Sequence, residues 1–220
     1  MKLIVGFPCK DRAWILPQWF EAIESQGVEC EVVCLYTHSV DDTELILKEH
    51  NATILYDDQP GRKLNEIDSH CWGVPATYEY MSILRNRLLD YAIDSGADYF
   101  FSLDSDIIIP PNTISQLLLF SRNHAGIISP ALNMSPGSKA WNTMQWTQQH
   151  GIATRSIGDI TNEQVDVVMA AMLLDQYGMQ CRWKAHPQGE DVGFSLDAYE
   201  KQIPCWWLSN LVCEHRMRRC

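Results

Sequence analysis

No stretch of the sequence approaches the roughly 20 consecutive apolar residues that a membrane-spanning helix needs. The strongest apolar runs, 107–109 and 117–120, are short and separated by prolines and polar residues, so no transmembrane segment is expected. Basic residues are also scarce. Seventeen Lys and Arg stand against 28 Asp and Glu, a formal net charge of −11. Non-specific attraction to a nucleic-acid backbone or an anionic membrane is therefore disfavoured, and nucleic acid is not an expected partner. The first apolar run, Leu3-Ile4-Val5-Gly6-Phe7, is too short for a signal sequence and leads into Pro8-Cys9-Lys10-Asp11 with no small-residue cleavage site. The cysteines, Cys9, Cys30, Cys34, Cys71, Cys181, Cys205, Cys213 and Cys220, are dispersed, and none forms a Cys-x₂-Cys pair. Neither a disulfide scaffold nor a structural zinc is expected, and the thiols fit buried positions in a reducing cytoplasm. Internal repeats and linkers rich in Gly, Ser or Pro are missing as well, so 220 residues should form one domain.

What is present is an alternation. Short apolar runs at 2–7, 30–36, 52–56, 98–103 and 126–129 are rich in β-branched and aromatic residues and read as buried strands. Helical patterns lie between them. Residues 17–26 carry Pro17 in the first turn, Trp19, Phe20 and Ile23 on one face and Gly27 as a stop. Asp41, Asp42 and Thr43 can cap a second helix. Residues 78–95 repeat Tyr80, Leu84, Leu88 and Ala92 every four positions up to Gly96. Thr113 with Gln116 predicts a capping box for a helix to about 120. Such alternation predicts an α/β fold with a mostly parallel central sheet flanked by helices. Further on, 165–174 and 204–213 read as strands. Residues 133–164, with Asn133, Trp141, Asn142, Gln145, Trp146, Gln148, Gln149 and His150 and little charge, suit a groove for a polar, ring-shaped ligand, or else an irregular loop with some buried tryptophans.

Three motifs carry chemistry. Asp104-Ser105-Asp106 sets two carboxylates at spacing i, i+2 where a buried strand runs out, the edge at which open α/β sheets bind ligands. Two hard oxygen donors there suit Mg²⁺ or Mn²⁺ carrying a diphosphate, although turns also favour Asp at strand ends. Gly189-Glu190-Asp191 places two acids at the start of a short amphipathic segment, either as favourable charge on a helix N-terminus or as a general base for a hydroxyl nucleophile. His215 follows an apolar strand and precedes Arg216, Arg218 and Arg219, either a clamp for a diphosphate or a solvated terminus.

The order and spacing of these motifs, with Arg85 inside Ile83-Leu84-Arg85-Asn86-Arg87 on the helix before the Asp-x-Asp strand, resemble GT-A glycosyltransferases, most of all the family 2 type, over nearly the whole chain. The resemblance implies a Rossmann-like nucleotide-diphospho-sugar transferase, with residues 1–130 as the nucleotide-sugar-binding half and 131–220 as the acceptor-binding and catalytic half. It implies that Pro8 borders the nucleobase, that Asp41 or Asp42 lies near the base or ribose, and that Arg85 leans on the donor. It also implies that Asp104, with Ser105, faces the ribose or sugar, that Asp104, Asp106 and His215 hold Mn²⁺ or Mg²⁺, and that Arg216 and Arg218 reach the donor. Asp191, with Glu190 beside it, matches the acid that deprotonates the acceptor. The expected partners are a nucleotide-diphosphate sugar and a carbohydrate or other hydroxyl acceptor; inversion is expected, and retention stays open if Asp191 only orients substrate. The alternatives are a sugar-phosphate nucleotidyltransferase, which would want a Gly-rich loop that residues 6–12 lack, and a non-catalytic carbohydrate-binding relative, which would have lost the acids.

Overall fold

The computed structural model describes residues 1–57, 75–133, 140–147, 152–157 and 163–216. Strand β1 (Leu3–Cys9) sits inside the main sheet, paired in parallel with β2 (Glu31–Tyr36) on one side and β4 (Tyr99–Leu103) on the other; β3 (Thr53–Tyr56) continues in parallel from β2. Alternation along β1 sends Leu3, Val5 and Phe7 to one face and Ile4 to the other. On the first face, α1 (Leu16–Glu24) contributes Leu16, Trp19, Phe20 and Ile23, with Pro in its first turn, while α2 (Thr43–Glu49) contributes Leu47. On the second, α3 (Pro75–Asp94) lays down Tyr80, Leu84, Leu88 and Ala92, the four-residue repeat visible in the sequence. Gly6 lies on the α3 side of the sheet, where a Cβ would come within 2.4 Å of the Phe100 ring of β4, so that ring can lie over β1 only because the position is bare.

The rest of the sheet is mixed. β11 (Ala171–Leu174) runs antiparallel to β4, β6 (Ile127–Leu132) runs antiparallel to β11, and β12 (Cys205–His215) runs parallel to β6. Two reversals restore the original direction, so the carboxyl ends of β1, β4 and β12 share one edge. β5 (Ile107–Ile108) closes the path against the end of β12, placing His215 opposite Ile107. β9 (Gln164–Val165) adds to the start of β12, and β10 (Val167–Val168), β7 (Ala140–Trp146) and β8 (Ala153–Ile157) form a separate three-stranded antiparallel sheet. Among the described residues no helix is long and apolar enough to cross a membrane.

Three local expectations are corrected. The run 165–174 is three short strands rather than one, and Ala170, at φ 70° with its N–H turned to Asp191, separates the last two. Thr113 does not cap α4 (Thr113–Ser121): the N-cap is Asn112 at φ 64°, and the Thr113 hydroxyl donates to the Pro110 carbonyl. Asn142 does not line a groove. It is fully buried, its Oδ1 accepting from Leu132 N–H and the Trp207 indole and its Nδ2 donating to Ser129, Pro130 and Met169. Trp141 packs on Trp207. Gln148, Gln149, His150, Cys71, Cys220, Arg218 and Arg219 lie outside the described residues.

Candidate active site

The carboxyl edge of the sheet gathers acids from separate elements around Arg85. The middle of α3 delivers Arg85, 3% exposed, beneath the end of β4. Its Nη2 donates to Asp104 Oδ1 at 2.7 Å, its Nη1 to Ser102 Oγ at 3.2 Å and its Nε to Glu190 Oε1 at 3.2 Å, and Asp191 Oδ1 lies 3.8 Å from Nε. Burial alone would lower the basicity of Arg85; the three carboxylates outweigh it and fix the guanidinium as a cation. The acids respond in the opposite sense. Burial pushes Asp104 up to about 6 against the pull of Arg85, and burial with the adjacent Asp191 pushes Glu190 up to about 7. One buried cation faces two buried acids and the partly buried Asp104, so the cluster carries more negative than positive charge once all three ionise.

Glu190 and Asp191 open α5 (Glu190–Glu200), where acids in the first turn suit the exposed N–H groups. Both glycines of Gly189-Glu190-Asp191-Val192-Gly193 have steric reasons. Gly189 adopts φ 121°, and a Cβ on Gly193 would fall 2.0 Å from the Lys184 carbonyl, so α5 can lie against residues 181–186 only without it. That segment supplies Trp183, buried and stacked on Phe194, whose indole N–H donates to Asp191 Oδ1 at 2.9 Å. The left-handed Ala170 aims its N–H at Asp191 Oδ2, also 2.9 Å, and its carbonyl accepts from Asp104 N–H. Strained backbone at Ala170 thus links the end of β4 to the start of α5. No feature of the sequence marked Trp183 as part of the site.

Asp106 stands apart from this cluster. Its Oδ1 lies 3.7 Å from His215 Nε2, and its main-chain carbonyl accepts from Arg216 N–H. Burial would raise Asp106, but the adjacent imidazole of His215, together with Arg12, holds it below the usual carboxylate range. A carboxylate and an imidazole side by side are a donor set that fits Mn²⁺ or Mg²⁺, which characteristically takes one or two protein ligands and completes its shell with phosphate oxygens and water. Asp104 is turned to Arg85 instead, and among the described residues no three His, Cys, Asp or Glu side chains form a ready-made metal cluster.

The remaining predicted residues are placed as follows. Pro8 is half-buried near the end of β1, opposite Leu35, and Ser105 is buried in the turn after Asp104. Asp41 ties two loops together: its oxygens accept from Ala13 N–H at 3.1 Å, from Thr43 N–H at 3.1 Å and from the Thr43 hydroxyl. Asp42 is exposed at the N-cap of α2 and makes no capping bond. Arg216 is exposed and paired with Glu214 at 2.9 Å. Arg12, from the β1–α1 loop, approaches Asp106, Nη2 to Oδ2 at 3.9 Å. The sequence signal for it was slight, two basic residues, Lys10 and Arg12, just after the first strand of an acidic chain. The described cysteines are free, and burial raises the thiols of Cys30 to about 11 and of Cys181 and Cys213 to about 12, which makes them poor nucleophiles.

No family model matches the chain. Over 120 residues it is 26% identical to a Glycosyltransferase 25 family member of Drosophila pseudoobscura pseudoobscura, a match covering 49% of this chain and 19% of that protein. The chain therefore spans about a fifth of the length of that curated relative. Among solved structures, S. aureus TarS 1-349 in complex with UDP superposes with a TM-score of 0.64 at 15% identity, over 99% of this chain and 61% of that one. Glucosyl-3-phosphoglycerate synthase from Mycobacterium tuberculosis, in complex with Mn²⁺, UDP and phosphoglyceric acid, superposes with a TM-score of 0.58 at 14% identity, over 99% of this chain and 72% of that one. With its acids collected at the carboxyl edge of a mixed sheet and near-complete superposition on these enzymes, the chain has the GT-A glycosyltransferase fold.

Proposed function

We propose that the protein is a metal-dependent glycosyltransferase that moves a sugar from a nucleotide-diphosphate sugar to an acceptor hydroxyl with inversion. The observation that carries this reading is the convergence, at one sheet edge, of Arg85 with Asp104, Glu190 and Asp191 beside the separate Asp106–His215 pair. In it residues 1–130 hold the donor and residues 131–220 the acceptor. Pro8 and the loop of Asp41 and Asp42 border the base and ribose, Asp104 and Ser105 face the ribose or sugar, and Asp106 and His215 hold Mn²⁺ or Mg²⁺. A bound divalent cation neutralises the leaving diphosphate. Asp191 accepts the proton from the acceptor oxygen as that oxygen bonds to the anomeric carbon and the bond to the diphosphate breaks. Trp183 and Ala170 fix the Asp191 carboxylate by its two oxygens, so its remaining lone pairs have a set direction. Glu190 braces Arg85, and Arg216 and Arg218 are assigned to the donor as further basic residues. The free thiols suit a reducing cytoplasm.

The test is calorimetric titration with UDP and GDP, with Mn²⁺ and with EDTA, followed by hydrolysis assays on a panel of nucleotide-sugars. Mn²⁺-dependent binding that falls at least tenfold in Asp106→Asn, at unchanged melting temperature, is expected. Equal affinity in EDTA would remove the metal from the reading; failure of every nucleoside diphosphate to bind and of every nucleotide-sugar to turn over would remove the function.

A further inference from the structure

The loop between β1 and α1 is unusually well braced. Asp11 N–H donates to Ser39 Oγ at 3.0 Å, Val40 N–H to Asp11 Oδ1 at 2.8 Å, Arg12 N–H to Thr43 Oγ1 at 2.8 Å and Ala13 N–H to Asp41 Oδ2 at 3.1 Å, with Asp11 in the left-handed region at φ 52°. Asp41 thus acts on the neighbouring loop. These bonds fix the Arg12 backbone while leaving its side chain poorly partnered. Of the guanidinium donors, Nη1 reaches the Lys10 carbonyl at 3.2 Å, Nη2 stays 3.9 Å from Asp106 Oδ2, beyond hydrogen-bonding length, and Nε is buried with no partner. A guanidinium has five N–H donors and is strongest against an oxyanion that takes two at once. Asp106, shared with His215, does not offer that geometry here.

A cation seated on Asp106 would take away the carboxylate facing Arg12, and the anion arriving with it would meet the side chain's unused donors. We infer that Arg12 is a phosphate-binding residue of the donor site, leaning on Asp106 when the site is empty and turning to an oxygen of the nucleotide diphosphate when it fills. This rests on the proposed donor site. It goes beyond that site in assigning the anion contact to the first loop, whereas the C-terminal arginines were expected to make it.

Titrations of wild type, Arg12→Gln and Arg12→Lys with uridine, UMP and UDP, and with the guanosine series, at fixed Mn²⁺ and salt decide the matter. Arg12→Gln should weaken the diphosphate about tenfold to a hundredfold, the range of charge-assisted hydrogen bonds, while leaving the nucleoside within twofold; Arg12→Lys should fall between. Mn²⁺ without nucleotide, followed by the paramagnetic resonance of the free ion, should bind Arg12→Gln at least as tightly as wild type, since a competing positive charge is gone. If Arg12 merely held Asp106 in place, Mn²⁺ binding would weaken instead. That result, equal loss for nucleoside and diphosphate, or unchanged diphosphate affinity would each overturn the assignment. The wild-type titrations separately decide whether the donor site exists at all, and without it the role of Arg12 falls too.

Discussion

Replacing Glu190 by Gln should make the protein more stable in mildly alkaline solution and leave it nearly unchanged in mildly acidic solution. The Glu190 carboxyl is pushed from its ordinary 4.5 to about 7, first by burial and then by Asp191, with Arg85 pulling the other way. Between those values the folded state holds the proton and the unfolded state does not. A proton held more tightly by the native state stabilises it, so the contribution is complete below about 4.5 and is lost as pH rises through about 7. At roughly 1.4 kcal/mol per pKa unit the loss is on the order of 3 kcal/mol. Gln keeps an oxygen that can accept from Arg85 Nε at the position Glu190 Oε1 now holds, and it cannot ionise. Urea unfolding of both proteins near pH 5 should therefore give stabilities within about 1 kcal/mol of each other. Near pH 8.5 the variant should be ahead by about 2 to 3 kcal/mol. A difference that does not change with pH would show that Glu190 is not held protonated by burial, and the charge imbalance described around Arg85 would have to be abandoned.

Arg85→Met keeps most of the side-chain volume but strands the buried Glu190 and Asp191 and the partly buried Asp104. Unfolding near pH 8 should show a loss of about 3 to 5 kcal/mol, smaller near pH 5, where Asp104 and Glu190 can take up protons instead; equal losses at both values would mean that packing, not charge, dominates. Asp191→Asn should leave nucleoside diphosphate affinity within a few-fold while transfer falls by about 10² or more. The same change should destabilise the fold by about 1 to 2 kcal/mol, because an amide that accepts from the Trp183 indole must present its own N–H groups to Ala170 N–H.

Local pattern was enough to read the first half of the fold. In β1 and α3 the residues that meet the core are set by period alone, two along Leu3, Val5 and Phe7 and about four along Tyr80, Leu84, Leu88 and Ala92, and burial follows from it. The Asp-x-Asp and Gly-Glu-Asp motifs were legible for a related reason: acids at strand ends and helix starts stand out against apolar neighbours. What escaped was set by contacts distant in sequence. A continuous apolar run gives no hint that Ala170 turns left-handed, since its cause is a bond to Asp191, 21 positions away. Asn142 reads as a groove residue by type, and only the meeting of Ser129, Pro130, Met169 and Trp207 around it makes it a core hub. Trp183 is one tryptophan among eight, distinguished only by where α5 places Asp191.

Charge at the sheet edge bears on whether an anionic donor could be held by arginines alone. Arg85 is engaged by Asp104, Glu190 and Ser102 with Asp191 close by, and Arg216 is paired with Glu214. Among the described residues this leaves Arg12, only loosely engaged with Asp106, as the basic side chain nearest the Asp106–His215 pair. A diphosphate entering here would meet four acids against the two guanidiniums of Arg85 and Arg12, and once the acids ionise that balance is repulsive. On the proposed reading, a divalent cation held by Asp106 and His215 would reverse its sign and would at the same time free Arg12 from its carboxylate. On this reasoning the metal and the loop arginine are coupled: Arg12→Gln should cost more diphosphate affinity with Mn²⁺ present than with EDTA, and equal costs in both conditions would break the link between them.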